Sequence, residues 1–163
     1  MSALLASAEL CVPPDRRQSP TALAVATGTR RLLVGHGFAT LCEMTLASGR
    51  RADIVGIGRD GCIWIVEVKS SVVDFRTDAK WPGYRDFCDR LFFAVPTAFP
   101  SEIMPGEAGL IVADAFGAAI VRDAPEHKLA GARRKAVMLR FAHVAANRHH
   151  ALVDPAGSGG WMD

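Results

Sequence analysis

Asp53, Glu67 and Lys69 are the residues of this chain whose types and spacing can do chemistry. Two apolar runs, Ile54 to Ile57 and Ile63 to Val68, flank Arg59-Asp60-Gly61, a three-residue loop with glycine available for the left-handed position. That loop pairs Gly58 with Cys62, and counting outward sets Asp53 opposite Glu67. The preceding loop, Ala47-Ser48-Gly49, pairs Leu46 with Arg50 by the same reasoning and brings Glu43 opposite Asp53. Side chains alternate along a strand, so Glu67 and Lys69 share a face. Directly opposed residues hold their Cβ atoms about 4.5 to 5.5 Å apart, so two carboxylates there repel unless they are protonated or bridged. A divalent cation relieves the repulsion, and carboxylate oxygens with water suit Mg²⁺ or Mn²⁺. The adjacent ammonium, which a simple ion store does not need, can orient a water, assist its deprotonation or stabilise a pentavalent phosphate. Those are the needs of phosphodiester hydrolysis. The competing reading is a surface ion pair between Glu67 and Lys69 on an exposed sheet face, since acid-x-base patterns are common in strands.

These residues need strands to position them, and the apolar pattern supplies three. Leu41 to Leu46, Ile54 to Ile57 and Ile63 to Val68 form two consecutive hairpins. Before them, Thr21 to Gly35 has helical spacing, with Thr21 as cap and Gly35 or Gly37 as stop. After them a helical region spans about Val73 to Arg90, interrupted near Pro82, which suits a helix start. Strands follow at Leu91 to Val95, Gly109 to Ala113 and Ala118 to Arg122, then a helix over about Ala130 to Arg148 with Val137, Phe141, Val144 and Ala145 on one face. Three antiparallel strands, a helical crossover and further strands make an α/β fold, a mixed β-sheet flanked by helices. The expected organisation is a flexible arm over residues 1–20, one domain over 21–150 and a flexible Gly-rich tail over 151–163.

Composition narrows the setting. The 163 residues suffice for one domain with its own core, and a composition 50% hydrophobic and 22% charged is that of a globular protein. Cys11, Cys42, Cys62 and Cys88 show neither CxxC pairing nor a matching His spacing, which argues against structural zinc. Free cysteines within apolar runs fit a reducing compartment, so the expected location is the cytoplasm. No signal peptide or membrane-length apolar stretch is evident. Net charge is only +2, but no acid occurs between Arg16 and Cys42 or between His127 and Val153. Basic segments around central acids fit a polyanion binder that also holds a cation, as well as they fit ordinary solvated helix faces.

The run Ala52-Asp53-Ile54 followed by Ile65-Val66-Glu67-Val68-Lys69 resembles the PD-(D/E)xK signature of restriction-endonuclease-like nucleases, with Ala52 where the motif has proline. More specifically, SGRRADIVGI, IWIVEVKSSVVDFRTDAKWPGYRDFCDRLFFAVP, GLIVADAFGAAI and ARRKAVMLRFA resemble the MmcB family of bacterial DNA repair proteins, from Thr21 to about Arg148. The resemblance implies a restriction-endonuclease-like core and a Mg²⁺- or Mn²⁺-dependent DNA endonuclease of the damage response, with Asp53, Glu67 and Lys69 at its catalytic positions. Scaffolds of this type also include members that only bind nucleic acid. DNA is the implied partner, with other repair proteins suggested by the resemblance alone.

Around the centre, Glu43 is a candidate third metal ligand, or else an acid paired with Arg51. Arg51, Arg76 and Lys80 are candidate phosphate contacts, and Trp81 and Tyr84 can stack on a base or serve as core anchors. Asp86 and Asp89 read as caps or as partners of Arg85 and Arg90. The five histidines have no mutual metal spacing.

Overall fold

Ser19 starts the first helix. Its hydroxyl oxygen accepts the Ala22 N–H at 3.1 Å, and Pro20 follows in the first turn, where its missing N–H leaves no bond unmade. Helix α1 therefore runs Pro20–Gly35, capped two residues before the expected Thr21. It stops as the glycines suggest: Gly37 adopts a left-handed φ of 84°, and the His36 N–H closes on carbonyls of the last turn. The structure is a computed structural model that describes residues 18–157. Most of the expected arm, the last residues of the tail, and Cys11 lie outside that span.

Six strands form one sheet in chain order: β1 (Ala39–Thr45), β2 (Arg51–Ile57), β3 (Ile63–Val68), β4 (Arg90–Val95), β5 (Gly109–Ala113) and β6 (Ala118–Arg122). The β1–β2, β2–β3 and β5–β6 pairs are antiparallel, while β3–β4 and β4–β5 are parallel. The fold is α/β, a mixed sheet flanked by helices, as the pattern predicts. Both hairpin registers agree with the count from their turns, since Cys42 pairs with Ile54 and Ile57 with Ile63. Gly49 and Gly61 take the left-handed positions, with φ of 81° and 82°.

The crossover between β3 and β4 departs from the expected helix. Helix α2 spans only Val72–Thr77, capped by the Ser71 hydroxyl on the Asp74 N–H. The chain leaves helical geometry at Asp78, and a 3₁₀ helix, Trp81–Phe87, begins with Pro82 in its first turn. Helix α3 runs Gly131–Val153, past the expected end near Arg148, because no glycine or proline interrupts it before Pro155.

Helix α1 covers one face, with Val25 and Leu33 packed on Ile54, Val66, Phe92 and Ile111. Gly28 permits the close approach: a Cβ there would lie 2.1 Å from the Asp114 carbonyl and 2.3 Å from that of Gly117. On the other face Val137 joins Val55, Ile63, Ile65 and Tyr84, with Phe141 and Val144 packed beside them. Val137 is the one fully buried residue of α3, and such a side chain contributes only about 2 kcal/mol. The partly buried Phe141 and Val144 add to it, and arginines supply the polar part of the docking. Arg140 donates to the Thr45 carbonyl and Arg148 to those of Cys42 and Glu43, satisfying main-chain oxygens along edge strand β1. Among the described residues no helix is long and apolar enough to cross a membrane.

Candidate active site

Strands β2 and β3 stop exchanging ladder bonds after the pair Ile54–Val66, and two carboxylates take over. The Val68 N–H donates to Asp53 Oδ2 at 2.8 Å, and the Asp53 N–H donates to Glu67 Oε1 at 3.2 Å. Each acid thus satisfies the other strand's backbone where the strands part. Glu67 is 3% exposed and Lys69 5%, while Asp53 is half-buried, so these residues are not a solvated sheet face. Nor does Lys69 pair with Glu67. Its ammonium donates to Asp78 Oδ2 at 2.7 Å.

The electrostatics follow from that geometry. Burial pushes the Glu67 carboxyl well above the ordinary range, and the charge on Asp53 adds to it. Burial also raises Asp53, although the Val68 N–H and Lys69 pull it partly back. Two acids facing each other with little water cannot both ionise without a compensating cation. For Lys69, burial alone lowers the pKa, but the hydrogen bond and charge of Asp78, with the charges of Glu67 and Asp74, outweigh it and raise the value. Lys69 is therefore an ammonium at neutral pH. Burial likewise raises the Tyr84 hydroxyl, with Glu67 and Asp53 adding, so it stays a neutral donor to the Arg51 carbonyl at 3.0 Å.

Glu43 does not join the pair. Its φ of 54° interrupts the strand alternation, so that Leu41 and Met44, three apart, pack toward the same cluster. Its Oε1 accepts from Gln18 at 2.6 Å, and its Oε2 meets Arg51 Nε at 2.5 Å. Of the two expectations for Glu43, the structure supports pairing with Arg51, and the expected line of three carboxylates is a facing pair. Among the described residues no group of three His, Cys, Asp or Glu side chains converges as a metal cage.

Arg76 and Lys80 are exposed on the segment that follows Lys69. The Arg51 side chain is 55% exposed beside Glu43. Trp81 is half-buried and Tyr84 buried, and both pack into the crossover, as the core-anchor reading expects. Trp81 packs edge-on against Phe93 at 5.4 Å with the Arg85 guanidinium over its ring, and Tyr84 is 7% exposed in the core. Both are anchors of the crossover. Two further contacts depend on the fold rather than on sequence spacing. Asp78 reaches Lys69 through the break between α2 and the 3₁₀ helix. Asp89 pairs with Arg134 rather than with Arg85 or Arg90.

The carboxylates suit a hard divalent ion. Asp53 Oδ1 and Glu67 Oε2 accept no protein donor among the described residues, and Mg²⁺ is held by one or two carboxylates with water and phosphate oxygens completing its shell.

A mixed α/β sheet opened by facing buried acids, with a charged lysine two residues on, defines the class of scaffold. Within it, the profile of the MmcB-like family, described as DNA repair protein MmcB-like, matches residues 11–156, and the chain belongs to that family. A protein of unknown function from Silicibacter pomeroyi is similar in structure, at 48% identity and a TM-score of 0.84, covering 89% of this chain and 99% of that one. A repair endonuclease from Pyrococcus abyssi matches 50% of this chain and 39% of its own at 18% identity and a TM-score of 0.33, a likeness without weight for fold or function. No curated protein matches the chain.

Proposed function

We propose that this chain is a divalent-metal-dependent DNA endonuclease acting in DNA repair, built on a restriction-endonuclease-like core and hydrolysing phosphodiester bonds at Asp53, Glu67 and Lys69. The observation that carries the reading is the buried acid pair at the opening between β2 and β3, with an ammonium two residues along. Asp53 and Glu67 would hold Mg²⁺ or Mn²⁺ through their undonated oxygens. When bound, the ion supplies Lewis acidity and lowers the pKa of water. Lys69, kept protonated, serves as a fixed positive charge toward a phosphate and is poorly suited to be a general base. Arg51, Arg76 and Lys80 contact the DNA backbone around this centre.

A second reading also has a specific observation behind it: Glu43 is bound by Arg51 and Gln18, and Lys69 by Asp78, as in a module that binds DNA without cutting it. Cleavage of labelled single-stranded, duplex and branched DNA separates the two readings. Wild type is compared with Asp53→Ala, Glu67→Ala and Lys69→Ala in Mg²⁺, Mn²⁺ or EDTA. The endonuclease reading expects metal-dependent cutting lost in all three variants. Binding without cutting under every condition sinks it and leaves the DNA-binding module, with other repair proteins supplying the chemistry.

A further inference from the structure

We propose that Asp78 is a positioning residue of the site, whose task is to hold the Lys69 ammonium in place beside the two carboxylates. The inference rests on the nuclease reading for its catalytic consequence, and on geometry alone for the contact itself.

Lys69 has a flexible four-carbon stem that can place its charge in many positions. Among the described residues it has one side-chain hydrogen-bond partner. Asp78 Oδ2 accepts from Lys69 Nζ at 2.7 Å, with the Lys69 side chain 7% exposed and that of Asp78 20%. The other Asp78 oxygen accepts the Lys80 N–H at 2.9 Å, which fixes the carboxylate to its own loop. That loop is itself braced. The Arg50 guanidinium, from the β1–β2 turn, donates to the Lys80 carbonyl and passes so close to Gly83 that a Cβ there would overlap it. On either side Phe75 and Trp81 pack edge-on against Phe93 of β4. The crossover segment therefore carries a fixed anion to the end of β3 and presents it to the one lysine of the site. An unrestrained ammonium would be drawn toward Glu67 and Asp53, where it would compete with a divalent ion for the carboxylates. Asp78 opposes that collapse and keeps metal and lysine charges in separate places.

The test compares wild type with Asp78→Asn, Asp78→Glu, Lys69→Ala and the Asp78→Asn/Lys69→Ala double variant. Asp78→Ser stands in where the asparagine variant does not fold, as read by circular dichroism. The first readout needs no catalysis: acylation of each lysine by an N-hydroxysuccinimide acetate, followed by mass spectrometry, with Lys128 and Lys135, which lie outside the crossover, as internal references. Positioning predicts that Lys69 is protected in wild type, becomes several-fold more reactive in Asp78→Asn, and regains protection in Asp78→Glu. The second readout is single-turnover cleavage beside DNA affinity in EDTA. It should show kcat reduced about 10- to 100-fold in Asp78→Asn with affinity kept, and no further loss when the substitution is added to Lys69→Ala. Unchanged Lys69 protection in Asp78→Asn overturns the proposal, as do losses that multiply in the double variant. A wild type that cuts no DNA removes the nuclease reading while the acylation pattern still decides the positioning role.

Discussion

Arg134 meets Asp89 with both terminal nitrogens, at 2.6 and 2.7 Å, and so bolts helix α3 to the segment between the 3₁₀ helix and β4. The Asp89 carboxylate also accepts the Ile63 N–H at 2.7 Å and the Leu129 N–H at 3.0 Å. One buried anion thereby joins the start of β3, the entry to β4 and the approach to α3. Burial alone would raise its pKa, but Arg134 and the two N–H donors outweigh that and hold the carboxyl down to about 2.

Asp89→Ala leaves the Ile63 and Leu129 N–H groups unpaired and removes the counter-charge of the Arg134 guanidinium, which keeps the carbonyls of Gly61 and Leu129. The expected loss is about 3 to 5 kcal/mol, a fall in Tm on the order of 10 °C. The pH dependence has a definite sign. A folded pKa below the unfolded value of about 3.9 gives stability that is present above that value and lost as pH falls through about 2. Melting curves between pH 6 and 2 should be steeper at the acid end for wild type than for Asp89→Asn. Equal slopes would mean that the bidentate pair contributes little.

Gly28 and Gly35 sit on the same helix and should respond in opposite directions to alanine. Helix propensity favours the substitution by about 1 kcal/mol in an exposed interior. At Gly35 nothing lies within 4 Å of the new Cβ, so Gly35→Ala should be neutral or stabilising by up to that amount. At Gly28 the Cβ would meet two backbone oxygens of the β5–β6 turn, which cannot swing away, and α1 must lift from the sheet. A net loss of about 1 to 3 kcal/mol is expected, measured by urea denaturation. A stabilised Gly28→Ala would show that the contact between α1 and the turn relaxes freely.

The parts of this fold legible in the sequence are those set by local physics. Glycine-bearing turns fix hairpin register, so the facing of Asp53 and Glu67 follows from counting outward from Gly61. Gly37 as a stop and the β5–β6 pair are legible for the same reason. What could not be read depends on contacts distant in sequence or on backbone outside the usual regions. The left-handed φ of Glu43 is invisible in a strand pattern, and it decides that Glu43 meets Arg51 and Gln18. Asp89 has Arg85 and Arg90 close by in sequence, yet its partner is Arg134, brought there by the packing of α3. Trp81 and Tyr84 follow the site in sequence, yet Tyr84 is buried and Trp81 half-buried where the crossover packs on the sheet.

Above about pH 4 the two acids of the site cost stability, because folding makes them take up protons or hold charge in a buried place. Their folded pKa values lie above the unfolded ones, so the native state binds more protons from about pH 4 upward, and stability declines as pH rises through that window. Glu67→Gln keeps an acceptor for the Asp53 N–H and removes the titrating group, so it should raise Tm at neutral pH and flatten the decline. Added Mg²⁺ reverses the same penalty in wild type through binding to the native state. Millimolar Mg²⁺ should therefore raise the Tm of wild type and leave Glu67→Gln unmoved. Equal shifts in both proteins would place any ion binding elsewhere.

Phosphate contacts leave a signature in salt dependence that locates the DNA on the surface. Each backbone contact releases counterions and adds about 0.9 to the slope of log affinity against log salt. Arg76 and Lys80 are exposed on the segment between Lys69 and the 3₁₀ helix, next to the opening of β2 and β3. Arg59 is as exposed but sits in the β2–β3 turn, six residues along from Asp53, a strand length of roughly 20 Å. In EDTA, which prevents turnover, Arg76→Ala and Lys80→Ala should each reduce the slope by about 1, whereas Arg59→Ala should not change it. Fluorescence anisotropy with a labelled duplex from low to moderate salt measures all three. A reduced slope for Arg59→Ala alone would put the DNA at the hairpin end of the sheet, away from Asp53 and Glu67, and would detach DNA binding from the proposed catalytic centre.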